Sequence, residues 1–127
     1  MKLTDIYWAA GIIEGEGCII SGVDQKKKSK YARLAVEMCD LDILKRLQAI
    51  LGPYAHLRER TETQLRPHWR TRYILQICGP ALASWLMTLY PLLGERRKKA
   101  ALAALTTWKA MKHSSNIRGT RPLSPQV

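Results

Sequence analysis

The first periodic stretch of the chain, Ile6-Tyr7-Trp8-Ala9-Ala10-Gly11-Ile12-Ile13, is apolar nearly all round and ends at Glu14-Gly15-Glu16-Gly17. Thr4 or Asp5 is placed to cap a helix there, and a helix with no polar face has to be covered on more than one side. The glycines mark its end, where a left-handed C-cap favours a residue without Cβ. The period then drops to two. Cys18–Val23 predicts a strand, Asp24 to Lys30 a polar turn, and Tyr31–Cys39 a second strand. In that second strand Ala32, Leu34, Val36 and Met38 share one face, and Tyr31, Arg33, Ala35 and Glu37 share the other.

Asp40 caps a predicted helix over Leu41–Leu51, with Leu44, Leu47 and Leu51 on one side and Gly52-Pro53 as its stop. A second hairpin follows, Ala55–Thr61 and Arg70–Ile77, in which Tyr73, Leu75 and Ile77 alternate with Arg72, Ile74 and Gln76. Gly79-Pro80 opens a third helix that Pro91 closes, and a last helix runs from Glu95 to Met111. From His113 onward no period survives. Residues 1–112 therefore read as one domain and 113–127 as a flexible tail. The order αββαββαα has no βαβ crossover, which predicts an α+β fold: a four-stranded antiparallel sheet with helices on one face. On the other face the same alternation collects Arg33, Arg58, Arg60, Arg70 and Arg72.

Composition gives that face a partner. The 127 residues carry 21 Lys and Arg against 10 Asp and Glu, a formal charge of +11, with a hydrophobic share of 46% that excludes wholesale disorder. Such an excess suits a polyanion, nucleic acid before an anionic membrane surface, and a two-stranded ribbon fits the DNA major groove. Cys18, Cys39 and Cys78 are odd in number and widely spaced, so neither a disulfide scaffold nor a zinc knuckle is expected. Cys39 and Cys78 read as buried strand-end thiols. With no long apolar run and no signal-peptide pattern, the expectation is a soluble, intracellular protein of a reducing compartment, cytoplasm or organelle matrix, without a membrane partner.

Trp8-Ala9-Ala10-Gly11-Ile12-Ile13-Glu14-Gly15-Glu16-Gly17 resembles the LAGLIDADG motif of homing endonucleases. The order of elements over 1–111 is similar to that family's, as is Glu37-Met38-Cys39-Asp40-Leu41-Asp42 leading into a Leu-rich helix that ends at Gly52. The departures are Ala9 for the motif's first Leu and Glu14 and Glu16 for its two Asp, each of which keeps a carboxylate.

The resemblance implies a saddle-shaped sheet over double-stranded DNA and a metal-dependent double-strand break. The motif helix packs on a twin through Trp8, Ala10, Gly11, Glu14 and Gly15, where small residues permit close approach. With a single motif, the twin belongs to a second subunit. A homodimer implies a long pseudo-palindromic target, roughly nine base pairs per half at ~3.4 Å each. Glu16 becomes a metal ligand and catalytic residue, with the carbonyl of Gly15 beside it; two such carboxylates repel unless a cation joins them. Magnesium suits that donor set, and manganese fits the same hard ligands. Arg96, with Lys98 as substitute, matches the family's basic residue near the scissile phosphate, and Glu37 or Met38 stands where other members carry a polar active-site group.

DNA-facing positions carried over on the first hairpin are Ile20, Gly22, Asp24, Lys26, Lys28, Tyr31, Arg33 and Ala35. Those on the second are Arg58, Arg60, Arg70, Arg72 and Gln76. Trp69 in the second turn is a further candidate contact, with His56 and His68 weaker ones.

Each of these has a plainer account. Gly11 and Gly15 suit ordinary helix packing, Lys26 to Lys30 a solvated hairpin tip, and Arg96 to Lys99 a basic first turn, although that turn opposes the helix dipole. Two other functions fit the charge. One is a non-cleaving binder on the same fold, an intron RNA splicing factor or a transcription regulator; the other is a ribosomal-type RNA-binding protein, which leaves the Gly-Glu-Gly helix end unexplained.

Overall fold

The computed structural model describes residues 2–60 and 70–119, with backbone alone from 112 onward. Within them helix α1 (Leu3–Glu16) leads into strands β1 (Gly17–Val23) and β2 (Lys30–Met38). Helix α2 (Leu41–Leu51) and strands β3 (His56–Glu59) and β4 (Tyr73–Cys78) follow, then helices α3 (Gly79–Leu89) and α4 (Glu95–Gly119). A 3₁₀ turn over Tyr90–Leu92, holding Pro91, separates α3 from α4. The order is the expected αββαββαα.

The strands form one antiparallel sheet in the order β1-β2-β4-β3. Its register sets the two faces. Ile19, Leu34 and Ile77 lie side by side across the sheet, as do Val36, Leu75 and Leu57. The buried members of these rows join Ala9, Ile13, Leu44, Leu47, Leu82, Leu86 and Leu89 in the core. α4 packs across β1 and β2, and α2 and α3 cover β4. The opposite face carries no helix among the described residues, and its rows are mostly polar or small: Cys18-Ala35-Gln76-His56, Ile20-Arg33-Cys78 and Glu37-Ile74-Arg58.

Side-chain links tie the helices together. Trp85 Nε1 donates to the Leu51 carbonyl at 3.0 Å, and the Arg46 guanidinium lies 4.0 Å from the centre of the Trp8 ring. Gln48 Nε2 donates to the Ala55 carbonyl across the turn after α2. Gly52 ends that helix at φ +100°, the left-handed side that favours glycine.

Several expectations need correction. α1 starts at Leu3 without a side-chain cap and runs on to Glu16, and Gly17 has φ −80°, so no left-handed cap forms. The glycine is required for a different reason: a Cβ there would sit 2.7 Å from the Ile13 carbonyl oxygen, which already accepts the Gly17 N–H. α1 is covered on one face only; Ala9, Ala10 and Ile13 are buried, whereas Leu3 and Tyr7 are more than half exposed. β4 starts at Tyr73 rather than Arg70, although Arg60 N–H still donates to the Arg72 carbonyl. Cys78 is exposed and Cys39 half-buried, because Cys78 shares the open-face parity of Gln76. α4 continues past Met111 to Gly119, since no Gly or Pro interrupts the chain between Glu95 and that glycine. Thr61, His68 and Trp69 lie outside the described residues, as does 120–127 of the proposed tail.

No helix among the described residues is long and apolar enough to cross a membrane. Gly17→Ala is expected to lower stability by about 1–3 kcal/mol, the usual cost of overpacking, measured as a reduced urea midpoint at constant m-value.

Candidate nucleic-acid interface and catalytic centre

Alternation in β1, β2 and β4 turns Ile20, Gly22, Tyr31, Arg33, Ala35 and Gln76 to the open face, as the sequence pattern requires. Arg33 reaches over the Tyr31 ring, 5.5 Å from its centre, which keeps both extended above the sheet. Arg58 lies on the same face and is exposed; Arg70 is exposed beyond the strand ends. At the hairpin tip Asp24 has a structural task. Its Oδ1 accepts the amides of Lys26 (2.9 Å) and Lys27 (3.1 Å), and its carbonyl accepts that of Lys28. The carboxylate sets the turn that leaves Lys26, Lys27 and Lys28 exposed.

Glu37 is committed in a way the sequence does not reveal. Its Oε1 accepts Arg60 Nη1 at 2.6 Å, and its Oε2 accepts Arg72 Nε at 2.8 Å. Arg72 Nη1 also lies 3.6 Å from Cys39 Sγ. The hydrogen bond that Arg72 donates to Glu37 raises the Arg72 pKa above its ordinary value, outweighing the partial loss of water. Both oxygens of this carboxylate are therefore engaged by guanidinium groups. The geometry places Glu37, one of the residues expected at the catalytic centre, in an ion-pair cluster with Arg60 and Arg72.

The end of α1 and the start of α4 are locked to each other. Glu14 Oε1 accepts the amide of Gly94 at 2.8 Å, just before α4, and Arg97 Nε donates to the Ile13 carbonyl at 2.8 Å. An acid thus sits at the positive end of α4 and a base at the negative end of α1, both favourable to the dipoles. This accounts for part of the basic first turn that is otherwise misplaced. A Cβ at Gly94 would lie 3.1 Å from Glu14 Oε2, so a side chain there would make the carboxylate shift by a few tenths of an ångström. The sequence alone singles out neither Arg97 nor Gly94. Its one signal is that a basic turn opening a helix needs a local acceptor.

The junction brings the first turn of α4 to the end of α1, where Glu16 is exposed. Lys98 Nζ lies 5.7 Å from the centre of the Tyr90 ring, and Arg96 is exposed. Among the described residues neither Glu16 nor Arg96 has a side-chain hydrogen bond or ion pair. Because Gly17 pairs with Val36, Glu16 leaves the helix at the end of the sheet where β2 carries Glu37.

Thr4, Tyr7, Gly11, Glu14 and Gly15 form a continuous exposed stripe on α1, and no atom lies within 4 Å of a Cβ built at Gly11 or Gly15. Ala10 is not part of it. At 4% exposure it faces the chain's own core, about 100° around the helix from Gly11. Trp8 is half-buried beneath Arg46.

No cluster of three or more His, Cys, Asp or Glu among the described residues could hold a metal ion. One chain offers the free carboxylate of Glu16 and the exposed backbone at Gly15. Oxygen donors of this kind suit a hard divalent ion. Glu14→Ala is expected to cost about 0.5–2 kcal/mol, as loss of an N-terminal helix acceptor does, seen as a lower thermal midpoint.

No family model and no curated protein matches the chain. Solved structures do. The homing endonuclease I-CvuI, in complex with its target in the presence of calcium, superposes with TM-score 0.72 at 22% identity over 90% of this chain and 73% of that one. The group I intron-encoded homing endonuclease I-CeuI, complexed with DNA, gives 0.68 at 12% identity over 91% and 58%. An archaeal intron-encoded homing endonuclease complexed with DNA gives 0.60 at 12% identity over 76% and 62%. The α+β architecture of this chain, four helices with a four-stranded antiparallel sheet, is the fold of the LAGLIDADG homing endonucleases.

Proposed function

We infer that this chain is a DNA endonuclease, working as a homodimer that makes a metal-dependent double-strand break in a long pseudo-palindromic target. The observation that carries the reading is Glu16: an exposed carboxylate with no partner among the described residues, at the end of a basic, helix-free sheet face. The structurally similar endonucleases were captured on DNA, one of them with calcium, which supports DNA as substrate and a divalent ion as cofactor.

The stripe through Tyr7, Gly11 and Gly15 suits a second copy of α1, because absent side chains let two helix backbones approach. Pairing about that axis would bring the two Glu16 carboxylates together. Two copies would also present roughly +22 to the DNA, which raises the rate of encounter. Glu16 and the Gly15 carbonyl would hold magnesium, or manganese in its place. When bound, such an ion stabilises charge on phosphodiester oxygens and makes a bound water more acidic.

The chain's own residues supply the remainder. Arg33, Arg58 and Gln76 face the groove, and Lys26 to Lys28 offer charge to phosphates beyond the strands. Arg96 brings an uncommitted guanidinium beside the Glu16 end of the molecule, able to offset charge developing at the phosphate. Glu14 and Arg97 hold that turn of α4 in place.

DNA carrying the uninterrupted insertion site of the chain's own gene, incubated with magnesium or with EDTA, tests the reading. Magnesium-dependent double-strand cleavage is the expected result; metal-independent binding of intron RNA with no cleavage would instead support a splicing factor. Glu16→Gln should retain DNA affinity within about threefold and lose cleavage, and cutting by that purified variant would refute the assignment. Gly11→Leu is expected to yield a monomer in sedimentation analysis, with double-strand cleavage lost.

A further inference from the structure

The Glu37 cluster is out of place on a surface for polyanions. The chain carries +11, yet an acid stands in the central strand of its open face. Left alone it would repel phosphate and weaken binding. It is not alone. Arg60 Nη1 and Arg72 Nε close on its two oxygens at 2.6 and 2.8 Å, and the three groups together carry one net positive charge. Ile74 lies between Glu37 and Arg58 in register. It is 7% exposed, although its parity turns it to the open face, and it stands outside the main core. The cluster therefore rests beside a buried apolar residue, while its own side chains stay 30–43% exposed.

Glu37 shares its face of β2 with Arg33 and Ala35, so the cluster belongs to the strand surface and not to the hairpin tips. A freely moving arginine seeks phosphate, which carries no sequence information. A guanidinium with one side fixed on a carboxylate presents its remaining donors in one direction. Arg72 has spent Nε on Glu37 and Nη1 on Cys39, which leaves Nη2 without a partner among the described residues. Planar arginine donors match guanine O6 and N7 in the major groove.

We propose that Glu37 is a specificity-determining, positioning residue: it holds Arg60 and Arg72 on one carboxylate, directs the remaining donors of Arg72 to a guanine edge, and reduces the attraction of both arginines to phosphate. The proposal rests on the DNA-binding part of the function inferred for this chain and assigns Glu37 no part in bond cleavage. Removing this acid should increase affinity for arbitrary DNA while reducing choice among sequences. The reduced choice among sequences is the discriminating result, since neither a catalytic acid nor a plain structural salt bridge predicts it.

The test selects binding sites from a randomised duplex library with the wild-type protein, Glu37→Gln, Glu37→Asp and Arg72→Gln. Affinity for a selected and an arbitrary duplex is then read by fluorescence anisotropy across a salt series. Glu37→Gln and Arg72→Gln should lose guanine preference at the same positions of each half-site, and Glu37→Asp should keep part of it. For Glu37→Gln the ratio of selected to arbitrary affinity should fall about tenfold, as for one bidentate base contact. Its salt slope on arbitrary DNA should steepen by about 0.9 for each additional phosphate that a chain neutralises.

An unchanged preference profile in a folded Glu37→Gln protein overturns the proposal, and so does lost cleavage with unchanged preference. If Glu37→Gln does not fold, the Arg72→Gln profile decides: loss confined to particular positions supports the proposal, and uniform loss overturns it. A wild-type protein that selects no sequence overturns the DNA-recognition reading itself, whereas selection by the wild type with an unaltered Glu37→Gln profile removes only the role of Glu37.

Discussion

The carbonyl of Ile13 receives the amide of Gly17 and Nε of Arg97, and through this one acceptor α1, the sheet and α4 meet at fixed positions. Because α1 passes into β1 without a loop, the helix end has no freedom relative to the first strand. The Glu14 carboxylate on the Gly94 amide then fixes the start of α4 from the other side. Glu16, one turn from these contacts, is left exposed on rigid elements, which would keep the carboxylate in a reproducible place for the role proposed for it. The absent side chains at Gly17 and Gly94 are part of this arrangement, since a Cβ at either would press on an atom of the junction.

Charge on the open face is divided by function. The lysines of the first hairpin extend from a turn organised by Asp24. Arg33 is stiffened by Tyr31, and Arg60 and Arg72 by Glu37. Positive charge attracts DNA at any sequence; restraint on where that charge points is what allows one sequence to differ from another. Asp24 and Glu37, acids within the basic surface, hold backbone amides and arginines in place.

Gly11 illustrates how far a sequence reading reaches. Helical spacing puts it on α1, and the small residues around it suggest a close neighbour. Only the folded chain shows that Gly11 and Gly15 are exposed, with open space where a Cβ would stand, and that Ala10 is instead in the core. Cys78 makes the same point: strand-end position suggests burial, whereas its parity with Gln76 turns it outward. The continuation of α4 past Met111 follows from the absence of a breaker before Gly119, a stronger constraint than the polar composition of that stretch.

The sequence by itself determined the order of elements, the two faces of the strands, the basic surface and the resemblance carried by the motif helix. These depend on neighbours within a few residues, where periodicities of two and 3.6 are directly written. Tertiary structure decided which charges are paired. Glu37 meets Arg60 and Arg72 from 23 and 35 positions away, and Arg97 reaches Ile13 across 84. No local pattern encodes a hydrogen bond between groups so far apart in the chain; it exists only once strand register and helix packing have brought them within reach.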